Sequence, residues 1–292
     1  FYTLFCALLF SASLPAQERI VIDKKGSADS SFDFSGFAVG AGSAGDFYQT
    51  LRTNLTLPSM FSVAPPSSAT YSVLGGVVPK GGSFEVTVQV IDRAGNQRIF
   101  GKRFTVVAGQ LEGLARSVSD EITELLTKRP GFADKRIIFV GQRAGDVAKD
   151  IYSVYPDGGG LVQLTRDRAV VLAPKWSPDG DSITYTSYRG GFPDIYEHST
   201  NPPARRKVSS SAGMNSGGTI SPDGRKLALV LSKDGKPELY VKNMINGTLV
   251  RLTNTPMSAK SSPSWSPDGR EIVFVSGHQG IPNLYIIGAN GG

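Results

Sequence analysis

Short apolar runs of strand length recur through the second half of the chain, and three of them follow the same turn sequence. Ser-Pro-Asp-Gly lies at 177–180, 221–224 and 266–269, which gives a period of 44 to 45 residues. A second marker, Ile-Tyr or Leu-Tyr, has the same period, at 151–152, 195–196, 239–240 and 284–285. A repeat of this length with about four short strands per unit is typical of the blades of a β-propeller. The pattern therefore predicts a partial all-β propeller over residues 135–292.

The repeated turn has a direct physical explanation. Proline fixes φ at the first corner, aspartate caps neighbouring amides, and glycine accepts the left-handed position. We therefore predict purely structural turn roles for Asp179, Gly180, Asp223, Gly224, Asp268 and Gly269. The Trp or Ile just before each turn should face the adjacent blade, because one four-stranded sheet cannot bury its own faces.

The repeats do not divide evenly into four-stranded blades. If the strand before each turn is innermost, residues 174–209 and 218–253 form full blades. Residues 136–165 lack an innermost strand of their own, and residues 263–292 stop before an outermost one. Because a terminal segment usually closes a propeller ring, we expect about four of six blades here, with the remainder beyond residue 292.

Residues 18–134 lack the repeat and predict a separate α/β domain. Phe47, Leu51 and Leu55 recur at every fourth position and indicate a helix over 46–55. A second helix should open at Ser119 and end before Pro130-Gly131. Its expected apolar face consists of Val118, Ile122, Leu125 and Leu126. Strands are predicted at 37–39, 73–78, 84–91 and 103–107.

The first residues form a different kind of segment. Phe1 to Leu14 are apolar and are followed by small residues up to Ala16, which predicts a signal peptide over residues 1–16. The usual basic start and initiator Met are missing, so we expect the sequence to be clipped at this end. Cleavage near Ala16 would remove Cys6, the single cysteine, which suits an exported protein.

The composition excludes several kinds of metal and disulfide site. Two His and one Cys exclude a zinc finger, an iron–sulfur cluster and a disulfide framework. No catalytic residue, metal site or cofactor is therefore predicted. The formal charge is +6, but the basic residues are scattered and the densest run is only Arg205–Lys207. We interpret this charge as a solvated surface and predict no nucleic-acid partner.

Two motifs favour other functions only weakly. Gly40 to Gly45 match GxGxxG, but no acidic residue follows about 20 positions on, so a flexible glycine loop is favoured over a dinucleotide site. Gly213 to Gly217 have the wrong spacing for a serine nucleophile, and His198 and His278 are interpreted as surface residues.

Taken together, these features resemble the TolB family, periplasmic components of the bacterial Tol-Pal system. The resemblance is carried by the blade motifs combined with four segments outside or between them: 18–23, 119–127, 132–139 and 250–253. It implies a non-catalytic binding scaffold in the periplasm that links TolA to the peptidoglycan-associated lipoprotein Pal. It further implies roles in outer-membrane integrity and in constriction during cell division, and exploitation by bacteriocins for import.

The resemblance also suggests partner-binding residues. Ile20, Val21, Ile22 and Asp23 match the TolA-contacting segment. Loops that enter the innermost strands lie on one face of a propeller and would face a Pal-like outer-membrane lipoprotein. The candidates there are Met214, Asn215, Gly217, Lys260 and Ser261. Association with the outer membrane is expected to be peripheral, through Pal only.

Two other propeller classes stay open as alternatives. Prolyl-oligopeptidase-like serine peptidases carry similar blades, and their hydrolase domain would be missing from this sequence. A lactonase or small-molecule-binding propeller would have carboxylates clustered on the innermost strands around a metal. Those strands offer Lys175, Thr219 and Ser264 instead.

Overall fold

The structure, a computed structural model, describes residues 30–57, 60–255, 258–277 and 280–291. The predicted signal peptide and the segment Ile20–Asp23 lie outside these residues, as does His278.

A six-stranded mixed sheet forms the N-terminal α/β region. Its strands are β1 (Ser30–Asp33), β2 (Phe37–Ala38), β3 (Phe61–Val63), β4 (Tyr71–Lys80), β5 (Ser83–Asp92) and β6 (Gln97–Val106). The order is β3-β1-β4-β5-β6, with β2 paired to β4. β1 runs parallel to β3 and β4, whereas β4, β5 and β6 form an antiparallel meander. The four predicted strands are present, and the sheet is larger than the sequence pattern indicated.

The first helix confirms its predicted apolar face. Helix α1 spans Ser43–Thr56, and Phe47, Leu51 and Leu55 are fully buried. The glycine loop before it is a compact helix start, because a Cβ at Gly40 would lie 2.8 Å from the Cβ of Ala44.

The second helix corrects the prediction. Helix α2 spans Leu111–Thr127, so it begins eight residues before Ser119. Leu111 and Ala115 continue the stripe of Val118 and Ile122 toward the N-terminus by about two turns, and all four residues are buried. Ser119 therefore lies inside the helix, where its hydroxyl donates to the Ala115 carbonyl at 2.7 Å. Leu125, expected on the apolar face, is instead exposed.

Four further sheets follow as propeller blades. The first blade has β7 (Ile137–Gly141), β8 (Asp150–Val154) and β9 (Val162–Gln163). The second has β10 (Val171–Trp176), β11 (Ser182–Ser187), β12 (Asp194–Thr200) and β13 (Pro203–Ser209). The third has β14 (Asn215–Ile220), β15 (Lys226–Leu231), β16 (Glu238–Asn243) and β17 (Leu249–Arg251). The fourth has β18 (Lys260–Trp265), β19 (Glu271–Ser276) and β20 (Asn283–Gly288). All pairings are antiparallel in chain order, as the repeat predicted.

Every innermost strand carries the same irregularity. Its register shifts within the strand, and one residue at the shift has a positive φ: Ala173 at 50°, Gly217 at 70° and Ser262 at 52°. These are β-bulges, which bend a strand and increase its local twist. The bulge recurs with the blade period although only one of the three residues is glycine.

The residues before the turns pack against the preceding blade, as predicted. Trp176 joins a cluster with Ile151 of the first blade, and Trp265 joins one with Leu239 and Val241 of the third. Each indole N–H also donates across the blade boundary, to the Arg136 carbonyl at 3.0 Å and to the Thr219 carbonyl at 2.9 Å. Each tryptophan thus links two neighbouring blades by a hydrogen bond as well as by apolar packing.

Candidate functional site

The strand directions give the propeller two different faces. We call the face with the Ser-Pro-Asp-Gly turns and the loops between third and fourth strands the turn face. We call the opposite face the loop face. It carries the loops that lead into innermost strands, such as 164–170, and the loops that join second and third strands, such as 142–149.

The turns repeat one hydrogen-bond pattern. In the third blade the Ser221 hydroxyl donates to Asp223 at 2.6 Å and accepts the Lys226 amide at 2.9 Å. The Asp223 carboxylate also accepts the Arg225 amide at 3.1 Å, and Gly224 has a φ of 74°. The corresponding bonds form in the other two turns, at Ser177 with Asp179 and at Ser266 with Asp268.

These aspartates are therefore occupied by their own turns. Hydrogen bonds from the serine hydroxyls lower the pKa of Asp179, Asp223 and Asp268, and backbone amides contribute in the same direction. The serine has a double role that turn propensities alone did not indicate. Its hydroxyl orients the carboxylate and closes the turn onto the next strand.

A buried ion pair on the turn face links the propeller to the α/β region. Asp157, in the loop after β8, accepts from Arg116 of α2 at 2.8 Å and from Asn54 of α1 at 2.9 Å. Tyr155 lies between two guanidinium groups. The Cζ atoms of Arg116 and Arg136 are 4.0 and 4.2 Å from the centre of its ring. We call Asp157, Arg116, Asn54, Tyr155 and Arg136 the clasp.

The clasp is almost closed to solvent. The side chains of Arg116 and Asp157 are only 4% and 6% exposed. Burial alone would raise the pKa of Asp157, but the hydrogen bonds from Asn54 and Arg116 outweigh it and lower that pKa. The carboxylate is thus held ionised at the point where the two regions meet, and the α/β region contacts the turn face of the first blade.

On the loop face, two acidic residues, each just before an Ile-Tyr or Leu-Tyr marker, hold the loop that follows the blade's outermost strand. Glu238 accepts the Thr253 hydroxyl, the Thr255 amide at 2.9 Å and Arg251 at 3.3 Å. Asp150 accepts the Thr165 hydroxyl at 3.1 Å and, through the same carboxylate oxygen, a backbone amide of that loop. We call these two arrangements the latches.

The latches were visible in the sequence but were not recognised. The acidic residue recurs at 150, 194 and 238, and Leu-Thr recurs at 164–165 and 252–253. The signal that could have found them is this joint repeat of an acidic residue and a hydroxyl at a constant separation.

Two of the expected Pal-facing residues are buried at the starts of innermost strands. Asn215 opens β14 and is fully buried, and its amide and carbonyl bond Ser209 and Ser211. Lys260 opens β18 with 3% exposure, and its amine donates to the Ser258 carbonyl at 2.7 Å. Burial lowers the pKa of Lys260, although Glu238 at 3.8 Å opposes the shift. Their placement in exposed loops was wrong, because both side chains satisfy polar groups beneath the loop face.

The other three candidates lie closer to solvent. Met214 is half-buried in its loop, Gly217 is the bulge residue of β14, and Ser261 is exposed on β18. Gly217 and β18 are in contact, since a Cβ at Gly217 would meet Pro263 at 2.9 Å. The structure therefore brings these residues to neighbouring innermost strands.

The densest basic run of the sequence is neutralised in the structure. Arg205 pairs with the buried Asp167, Arg206 with Glu197 at 2.5 Å, and Lys207 with Asp194 at 2.6 Å. Within the described residues, no three His, Cys, Asp or Glu side chains converge as they would around a metal ion. Neither described helix is long and apolar enough to cross a membrane.

Fold and faces together define an α/β domain joined to a β-propeller whose loop face is separate from the domain contact. Residues 123–292, more than half of the chain, match the family described as TolB beta propeller domain. The chain belongs to this family.

Relatives agree with this assignment. The chain is 35% identical over 184 residues to the Tol-Pal system protein TolB of Desulfosudis oleivorans, covering 63% of this chain and 41% of that protein. It is 37% identical over 157 residues to the Tol-Pal system protein TolB of Alcanivorax borkumensis, covering 53% of this chain and 36% of that protein. It therefore spans less than half the length of these curated relatives.

A solved structure has the same fold. The crystal structure of TolB from Acinetobacter baumannii superposes with a TM-score of 0.81 over 91% of this chain and 71% of that one, at 24% identity. At this identity the likeness establishes the fold alone.

Proposed function

We propose that this protein is a non-catalytic periplasmic scaffold of the Tol-Pal system that connects a TolA-like protein to a Pal-like outer-membrane lipoprotein. In this role it serves outer-membrane integrity and constriction during division, and it offers bacteriocins a route for import. Family membership and relatives named as Tol-Pal system proteins support the system. The signal peptide predicted over residues 1–16 supports the periplasmic location.

The observation that carries the proposal is the separation of the two faces. The clasp joins the turn face of the first blade to the α/β region. The loop face carries no such contact in the described residues, and its latches hold the loops in fixed positions without using their outer surfaces. A rigid scaffold with varied loops on one side is a common way to present a protein-binding surface.

The two partners would bind at separate places. The lipoprotein would contact the loop face near Met214, Gly217 and Ser261, above the buried Asn215 and Lys260. The TolA-like protein would contact Ile20–Asp23, an extended apolar-polar segment suited to pairing with the edge of a partner's sheet.

Calorimetry with the soluble domain of the cognate Pal-like lipoprotein tests the first contact. Ser261→Arg, exposed on the loop face, should weaken binding by at least about tenfold, since it places an unmatched charge in the interface. Asp181→Arg, exposed on the turn face, is the matched control and should bind as the unsubstituted protein does. Equal affinity of all three proteins would exclude the loop face as the binding surface.

A deletion tests the second contact. Removal of residues 18–29, which stops short of β1, should abolish binding of the cognate TolA-like protein and leave binding of the lipoprotein unchanged. TolA binding of normal strength after the deletion would refute the assignment of Ile20–Asp23.

A further inference from the structure

A cleft on the loop face of the first blade has properties that the fold itself does not require. It has a volume of about 800 Å³ and lies between the loop 142–149 and the loop 164–170. Arg143, Arg166 and Arg168 line it, together with Val147, Asp146 and Asp150. We call it the basic cleft.

The three arginines of the basic cleft have no carboxylate partner in the described residues. All three are exposed, and within the described residues none forms an ion pair with a carboxylate. Arg143 donates only to the amide oxygen of Gln163, at 2.7 Å. By contrast, each member of the basic run 205–207 has an acidic partner. Guanidinium groups left without a carboxylate in a concave site are suited to receive carboxylates from elsewhere.

The loop that bears two of these arginines is fixed in place. Asp150 binds the Thr165 hydroxyl and the Asp167 amide at 3.1 and 2.9 Å, and Asp167 accepts the Ser187 hydroxyl at 2.7 Å. Arg168 follows with a φ of 51°, a conformation that is strained for a residue with a side chain. Arg166 and Arg168 thus flank a buried anchor, which fixes the backbone from which both side chains reach the cleft.

The corresponding loops of the next two blades provide an internal comparison. Residues 209–214 read Ser-Ser-Ser-Ala-Gly-Met, and residues 253–259 read Thr-Asn-Thr-Pro-Met-Ser-Ala. Both make the same connection between an outermost and an innermost strand without a charged residue. The arginines are therefore not needed to build this part of a blade.

We propose that the basic cleft binds an acidic segment of the protein partner that docks on the loop face. Identification of that partner as the Pal-like lipoprotein rests on the proposed function. Asp146 and Asp150 in the lining would repel a densely charged phosphate surface, and Val147, 92% exposed, offers apolar contact. This mixture favours a peptide in which carboxylates alternate with neutral residues over a lipid headgroup or a nucleic acid.

The test uses the double variant Arg166→Gln/Arg168→Gln of the full chain. The probe is a fluorescent peptide of alternating Glu and Ser, capped at both ends, and binding is read by anisotropy at about 50 and about 300 mM salt, where screening differs strongly. We expect the unsubstituted protein to bind the peptide at low salt and the variant to bind it at least about tenfold more weakly. The matched control, Arg225→Gln/Arg270→Gln, removes two exposed arginines from the turn face and should leave peptide binding within about twofold.

Several outcomes would overturn the inference. An equal loss in both double variants would indicate a general effect of net charge. Binding of inorganic phosphate or of phosphatidylglycerol vesicles in preference to the peptide would assign the cleft to another ligand.

A last measurement compares binding of the lipoprotein domain to the unsubstituted protein and to the cleft variant. Lipoprotein binding that the cleft variant leaves intact while peptide binding is lost would refute the link to that partner. If the unsubstituted protein does not bind the lipoprotein at all, the proposed function fails. The peptide result still decides whether the basic cleft binds acidic segments.

Discussion

The two faces of the propeller are built from the same strands but differ in how their surfaces are used. On the turn face, three turns repeat the same residues and the same bonds, and the clasp joins one neighbouring loop to the α/β region. On the loop face, repetition is confined to the buried latches, and the exposed residues above them change from blade to blade. Repetition thus marks what the fold needs, and variation marks where binding can be added without disturbing it. Substitutions can break or sharpen this contrast.

The largest effect is expected at the clasp. Asp157→Ala leaves the buried Arg116 guanidinium without its carboxylate, and it should lower the free energy of unfolding by about 3 kcal/mol. Urea denaturation measures this difference. The control Asp181→Ala removes an exposed carboxylate from the same face and should change stability by less than about 0.5 kcal/mol. Similar values for the two variants would mean that the clasp does not hold the regions together.

Acid should weaken the clasp by a smaller amount, since protonation removes the charge of Asp157 but keeps its side chain. The pKa of this carboxyl is lowered in the folded protein, so its contribution is complete above the ordinary aspartate pKa of about 3.9 and is lost as the pH falls through the lower folded value. Urea denaturation between about pH 5 and pH 2.5 should therefore show a shallower pH dependence for Asp157→Asn than for the unsubstituted protein. Parallel curves would contradict the assignment.

A repeated turn should be less sensitive than the clasp. Gly224→Ala places a side chain at a φ of 74°, where open space leaves backbone strain as the only penalty. We expect a loss of about 1 kcal/mol in the free energy of unfolding. Gly217→Ala should lose more, because its Cβ would also meet Pro263 at 2.9 Å. The reverse order would show that the bulge tolerates a side chain better than the turn does.

The smallest effect should be a gain. Ala173 occupies the bulge position of β10 at a φ of 50°, which glycine adopts without strain. Ala173→Gly should stabilise the protein by about 0.5 kcal/mol, the relief of strain being partly offset by the greater freedom of glycine in the unfolded chain. Thermal and urea unfolding can resolve the sign. A clear loss would mean that the methyl group contributes packing.

Helix boundaries show where local patterns stop being sufficient. The spacing of Phe47, Leu51 and Leu55 was enough to predict α1, because these three residues alone form a regular apolar face along the helix. Ser119 looked like a helix start because serine commonly caps helices. In the structure its hydroxyl donates to a carbonyl one turn earlier, and the helix reaches back to Leu111 because the shared core accepts about two more turns.

The sequence by itself determined the propeller, its period, its turns and the residues that pack between blades, because each of these depends on contacts within one repeat or between adjacent repeats. The tertiary structure alone decided the sites. The clasp joins Asn54 and Arg116 to Asp157 across 103 and 41 residues. The folded blades place a carboxylate beside each member of the basic run Arg205–Lys207. They also bring Arg143 together with Arg166 and Arg168 in one cleft. Charge acts through space, so its effect depends on which distant carboxylates the fold brings near, and no local pattern records that.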